Sequence, residues 1–374
     1  MDRRPLAVTL GALLALLPAC GPSEIVVGDQ PGLARVVAGV PGDSALGAAE
    51  GDARREALAG PSGIAAVAGG TLYIADTGNR VVRVVSPGGV ERIVAGDVGC
   101  LQTVFAPVRA RALCLQLPTA VAAFPSGDSL LVVDRRVHVV WLIDLRADSA
   151  RPFFGTGTRG RADSGAVART ASTSEPDDVA VGPDGTVYVV EVANHRIVAI
   201  ARDGRTGDFV VRPAVGRGDG GYSGDGAEAV RARLLAPRGV AVGDGELYVA
   251  DTGNQVIRRV TADGRISTVA GSGQASFGGD GGPALSAQFN QPVRVALVGR
   301  VLIVADRGNR RVRAVQLGSG LIGAFLGNGD SALGPDLLEA GLTTTSVPAG
   351  LAQAQGFLYA ADAGHHVVRR IFVP

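Results

Sequence analysis

Six stretches of this chain share one frame of apolar and polar positions. Each has an apolar run, an acidic residue, a short polar turn, and a second run in which valine and isoleucine are interrupted by arginine. The frame reads LYIADTGNRVVRV from Leu72 and LYVADTGNQVIRRV from Leu247. Looser copies are LLVVDRRVHVVWLI from Leu130, VYVVEVANHRIVAI from Val187, LIVADRGNRRVRAV from Leu302 and LYAADAGHHVVRRI from Leu358. The acids are Asp76, Asp134, Glu191, Asp251, Asp306 and Asp362, spaced 55 to 60 residues apart. Short β-patterned runs bounded by turn residues predict strands joined by hairpins. Their repetition at this period predicts a propeller.

The repeat around Leu247 shows how one blade is built. Arg238–Val242 is a short apolar strand, and Gly243-Asp244-Gly245 is a tight-turn signal. Leu247–Asp251 makes the second strand, and Thr252-Gly253-Asn254 turns the chain, with glycine expected to supply a positive φ. Gln255–Val260 and Arg265–Ala270 complete four antiparallel strands. The chain reaches Pro374 after only three strands of its last repeat, while Leu33-Ala34-Arg35-Val36-Val37-Ala38-Gly39 matches the fourth strands ERIVAG (Glu91–Gly96) and RISTVAG (Arg265–Gly271). The expectation is an all-β, six-bladed β-propeller of four-stranded antiparallel blades, its ring closed by an N-terminal strand that leaves no open sheet edge.

Composition fits that picture. Hydrophobic residues make up 46% of the chain but aromatics only 4%, so the core is built from valine, alanine, leucine and isoleucine. A net charge of +1 offers no electrostatic case for nucleic acid. Before the repeats, Arg3 and Arg4 precede an apolar stretch from Leu6 to Leu17 that is short for a membrane span. Leu17-Pro18-Ala19-Cys20 resembles a lipobox in which Cys20 takes a lipid, although Pro18 is an imperfect fit; an ordinary cleaved secretory signal stays open as the alternative. The organisation expected is a signal peptide over 1–20, a tether over 21–32 and the propeller over 33–374, exported and held at the cell envelope by a lipid (in the outer membrane), or else periplasmic or extracellular. Cys100 and Cys114, in one inter-repeat segment, are expected to pair in an oxidising compartment, with two free thiols as the alternative.

The D-x-G-N pattern, the arginine-bearing third strands and the V-A-G fourth strands resemble bacterial NHL-repeat proteins over nearly the whole chain after residue 32. The connectors Gly220–Pro237 and Gly278–Pro292 are similar to that family's GDGGPA segments. The resemblance implies a propeller whose members include scaffolds, RNA binders and a lyase. The lyase's channel-facing histidines, and the acidic inner-strand residue of lactonase-like relatives, have no matching residues here.

Candidate chemistry is sparse. The six repeat acids are expected to accept N–H groups from the next two turn residues, each inside its own blade. Asp225 and Asp280 lack the alternating ligands of a calcium loop and read as caps of short helical turns. His138, His195, His365 and His366 show no metal-ligand spacing, and no nucleophilic triad stands out. What remains is broken symmetry. Each inner strand follows a proline, and the next pairs include Asp177-Asp178, Arg238-Gly239 and Val293-Arg294. Asp177, Asp178, Arg238 and Arg294 are therefore candidate ligand-binding residues at the mouth of the central channel. The blander reading makes them solvated ion pairs. The functional expectation is a non-enzymatic binding or scaffold propeller, without cofactor, that engages a protein or small polar ligand on the connector face and meets the membrane only through its lipid. The alternative is a hydrolase or lyase using a divalent ion at the channel mouth.

Overall fold

The computed structural model describes residues 33–46, 50–332 and 338–373. The expected signal peptide, Cys20 and the tether lie outside the described residues. Six antiparallel sheets form the ring. In the fourth blade the strands are Gly239–Gly243, Glu246–Asp251, Val256–Val260 and Ile266–Ala270. Their register places Val240 beside Val249, Val249 beside Arg258, and Arg258 beside Thr268. Short strands from the connectors (Glu50–Asp52, Val108–Arg109 and Leu338–Glu339) add a fifth member to three blades.

The ring closes as expected. Leu33–Ala38 pairs antiparallel with Val367–Phe372, matching Ala34 to Ile371 and Val36 to Arg369. Packing follows from the alternation of side chains along each strand. Every blade sends one face toward each neighbour, so the apolar residues gather in six clusters, one per blade interface. The ring's centre is left as a channel.

Glycine serves a different purpose from the one expected in the D-x-G-N turns. The positive φ falls one residue after the asparagine, as at Gln255 (57°) and Arg310 (53°). Gly253 is needed for room: a Cβ there would lie 2.6 Å from the carbonyl oxygen of Leu235, to which the Gly253 N–H donates. The glycine of each V-A-G segment meets both demands. Gly271 has φ of 100°, and a Cβ on it would approach the Gln255 carbonyl to 2.5 Å.

Candidate functional site at the channel mouth and connector face

The repeat acids reach further than their own turns. Asp251 Oδ1 accepts the N–H of Leu235, in the connector entering the blade, while Oδ2 accepts from Asn254 Nδ2 and Arg258 Nη1. Asp76 likewise takes Ala59 N, Asn79 Nδ2 and Arg83 Nε. These two acids thus pin turn, connector and third strand together. The arginine stands seven residues after the acid in four blades (Arg83, Arg258, Arg313 and Arg369) and is fully buried in each. Its second anion is Glu91, Asp225 or Asp280, at 2.5 to 2.6 Å, in the first, fourth and fifth blades. Asp225 and Asp280 are therefore counter-ions to buried guanidiniums. They are not caps, and the adjacent 3-10 turns make no side-chain cap bond. Desolvating a guanidinium is tolerable only when its donors are paired, which explains why the acids recur with it. The second blade carries Trp141 at the arginine position, stacked on Phe105 with ring centroids 6.1 Å apart.

Three of the four histidines are latches between blades. The N–H groups of Glu175, Ala236 and Gly60 donate to Nδ1 of His138, His195 and His366 at 3.0 to 3.2 Å. Gln255 does the same for Gln291 N through its Oε1. His365 instead bridges Asp362 (2.8 Å) and the Ser331 carbonyl. Among the described residues no three histidine, cysteine or carboxylate side chains come together to hold a metal ion.

These groups give the fold a pH dependence. Burial raises Glu91 to about 7 and Asp134, Asp178, Asp251 and Asp306 to about 6. A carboxyl whose folded-state pKa lies above its unfolded one adds stability that is fully present below about pH 4 and is lost as pH rises through 6 to 7. His138 opposes this: burial and then Arg159 lower its pKa, so its contribution is lost as pH falls below about 6.5. The five carboxyls outweigh it. The melting temperature should be higher at pH 5 than at pH 7.5, and the rise should grow in His138→Gln. A fall on acidification in both proteins would refute this balance.

At the channel mouth the four residues expected there do converge. Asp177 is 3% exposed and meets Arg135 and Arg294 at 3.0 Å and Arg238 at 3.6 Å. Asp178 Oδ2 accepts the Val240 N–H, and Oδ1 lies 3.5 Å from Arg294 Nε. Arg294 also donates to the carbonyls of Thr119, Asp177, Val293 and Arg238, so it joins the inner strands of four blades. Burial raises the pKa of both neighbouring aspartates, but three guanidiniums around Asp177 outweigh it and hold that group below the usual range. Asp178, facing chiefly Arg294 and the charge of Asp177, is left at about 6. These are not the solvated pairs of the blander reading: the network is buried and spends its donors on protein.

The network plugs one end of the channel. Beyond it a cavity of about 450 Å³ is lined by small side chains from all six inner strands, among them Ala65, Ala122, Ala180, Val242, Ala296 and Ala352. It opens at the far end, where Ala68, Pro125 and Gln353 are exposed.

The connectors hold most of the exposed apolar surface. All the exposed large apolar side chains among the described residues, save Val90 and Leu321, lie in them. Three are aromatics backed by another planar group. Phe105 stacks on Trp141, Tyr222 covers Arg258 at 4.9 Å, and Phe277 covers Arg311 at 4.3 Å. Cys100 and Cys114 form the expected disulfide, at the base of the loop that carries Leu101, Val104 and Phe105. Sequence reasoning missed Arg135, Glu175 and the aromatic platforms. The buried arginines were legible as an Asp-x6-Arg spacing in four blades. Arg135 had no such signal, because its partner lies 42 residues away in another blade.

Comparison with known proteins agrees with this geometry. Residues 215–277 match the family model described as the teneurin NHL domain, and residues 173–200 match the NHL repeat. The chloroplastic protein SUPPRESSOR OF QUENCHING 1 of Arabidopsis thaliana is 28% identical over 67% of this chain and 24% of its own length. Teneurin-m of Drosophila melanogaster is 33% identical over 37% of the chain and 6% of its own length. The chain thus spans a quarter or less of these relatives. Among solved structures, a Bacteroides thetaiotaomicron protein of unknown function superposes with a TM-score of 0.65 at 15% identity, covering 90% of this chain and 75% of that one. An auxiliary nutrient binding protein from Bacteroides ovatus gives 0.63 at 14% identity, with 91% and 76% covered. A gluconolactonase from Xanthomonas campestris gives 0.54 at 15%, with 85% and 87% covered. Identities this low speak for the fold alone. With two NHL matches lying inside a closed six-bladed ring of D-x-G-N repeats, the chain is an NHL-repeat β-propeller.

Proposed function

We propose that this propeller is a non-enzymatic binding module that engages a protein or a small polar ligand through its connector face. We place it outside the cytoplasm, held at the envelope by a lipid on Cys20. The observation that carries this reading is the set of rigid aromatics, Phe105, Tyr222 and Phe277, exposed on three connectors at 45%, 52% and 44%. A ring already held against an indole or a guanidinium loses little freedom when a partner covers it, and such aromatics are the usual anchors of an interface. Around the channel mouth, the half-buried Arg135, Glu175 and Arg238 supply a polar centre to the same face. The repeat acids, the buried arginines and three of the four histidines are occupied in holding blades together, which leaves the connectors as the variable surface.

The test is capture from an envelope extract by the purified protein, run beside the triple variant Phe105→Ala, Tyr222→Ala, Phe277→Ala. Partners held by the parent should be lost by the variant while its melting temperature stays within a few degrees. Equal capture by both would remove the connector-face proposal.

A further inference from the structure

Clefts open where the 3-10 turns Ala110–Ala112 and Ala168–Thr170 pack against the outer strands Val90–Ala95 and Ser149–Phe154. The cleft between the first and second blades is lined by Arg92, Arg111, Asp144 and Asp148, and so is balanced in charge. The cleft between the second and third is lined by Arg151, Arg169, Arg202 and Asp208. Arg92 and Arg151 are each the third residue of an outer strand, and Arg111 and Arg169 each sit mid-turn. Asp144 and Arg202 each end a third strand. By strand register Asp144 corresponds to Ala201, so Arg202 stands one residue further along; with these side chains the second cleft carries two net positive charges where the first carries none. On the fourth blade's outer strand and the connector after it, Thr268 and Leu285 hold the places of Arg151 and Arg169.

The walls of the second cleft are firm. Gly165 N donates to Val211 O and Val211 N to Ala166 O, tying the connector to the third blade's outer strand. Phe153 and Phe209 pack edge to face at 5.0 Å, and Arg202 lies over Phe209 at 5.2 Å. Its other contact is distant, Nη1 to the Gly207 carbonyl at 3.5 Å. Arg169 reaches Asp208 only at 3.8 Å. The cavity is about 160 Å³, room for a small tetrahedral group and a few waters.

We propose that this cleft binds a singly esterified oxyanion, a phosphate or sulfate group, through Arg151, Arg169 and Arg202. Guanidiniums present paired N–H donors that suit such oxygens, and an apolar floor beneath Arg202 limits competition from water. Asp208 sets the limit: it repels the anion, so affinity rests on all three arginines acting together.

The experiment is a titration of the full chain with glycerol 3-phosphate, following arginine side-chain NMR signals, with vesicles containing phosphatidic acid, the lipid that carries a phosphate monoester, as a second arm. Saturable shifts confined to the three arginines are expected. Arg202→Asp, which gives this cleft the first one's charge balance, should weaken binding at least about tenfold, the worth of one charge-assisted hydrogen bond. Vesicle binding sensitive to Arg202→Asp would assign a lipid headgroup, whereas response to the soluble ester alone would assign a free one. Shifts that do not saturate, or binding indifferent to Arg202→Asp in a protein that still melts cooperatively, would overturn the proposal.

Discussion

Arg294→Ala should destabilise the ring by about 3–5 kcal/mol, the cost of removing one partner from a buried ion network. The side chain fills the channel mouth and hydrogen-bonds across to the second, third and fourth blades. Without it, Asp177 and Asp178 remain buried with their main counter-charge gone, and the carbonyls of Thr119 and Arg238 lose a donor. Asp177→Ala should cost a similar amount, since Arg294, Arg238 and Arg135 all lean on that carboxylate. Removing charge together with counter-charge should be gentler: Asp177→Leu, Asp178→Asn, Arg294→Met should recover most of the loss. Urea unfolding measures all three. If Arg294→Ala is within 1 kcal/mol of the parent, or the triple variant is no better than the single one, the mouth is not a structural plug.

Deleting residues 33–39 should be at least as damaging. The segment buries Ala34, Val36 and Ala38 and supplies the ladder that joins the chain's two ends. Its loss exposes an unpaired edge along Val367–Phe372 and uncouples the sixth blade from the first. The apolar clusters on either side of that blade, which include Ala34 and Ala38, are breached together. The melting temperature should fall by about 10 °C or more, with a shallower transition. A deleted protein that melts with the parent would show that the ring closes without this strand.

The same residues show what could be read ahead of the coordinates. Strand identity, blade count and ring closure were all legible, because a period-two pattern and a repeated turn are local properties that recur six times. The crowding of Asp177, Asp178, Arg238 and Arg294 was legible too, since each follows the proline that starts an inner strand. Their condition was not. Residues that look like exposed charges in the chain become a buried lattice only when inner strands from different blades meet around one axis. The repeat acids were under-read for a related reason. Their nearest sequence neighbours suggested a local turn, whereas Leu235 and Arg258 reach Asp251 from a connector and a third strand.

By itself, then, the sequence determined the unit, its number and the way its ends join, since these depend on backbone geometry and hydrophobic alternation along a few residues. Only the tertiary structure decided which charges are buried and paired, which histidines latch one blade to the next, that one channel mouth is sealed, and which aromatics stand ready on the surface. Burial and pairing are relations between residues far apart in the chain, and in a ring they are settled only when all the blades are in place.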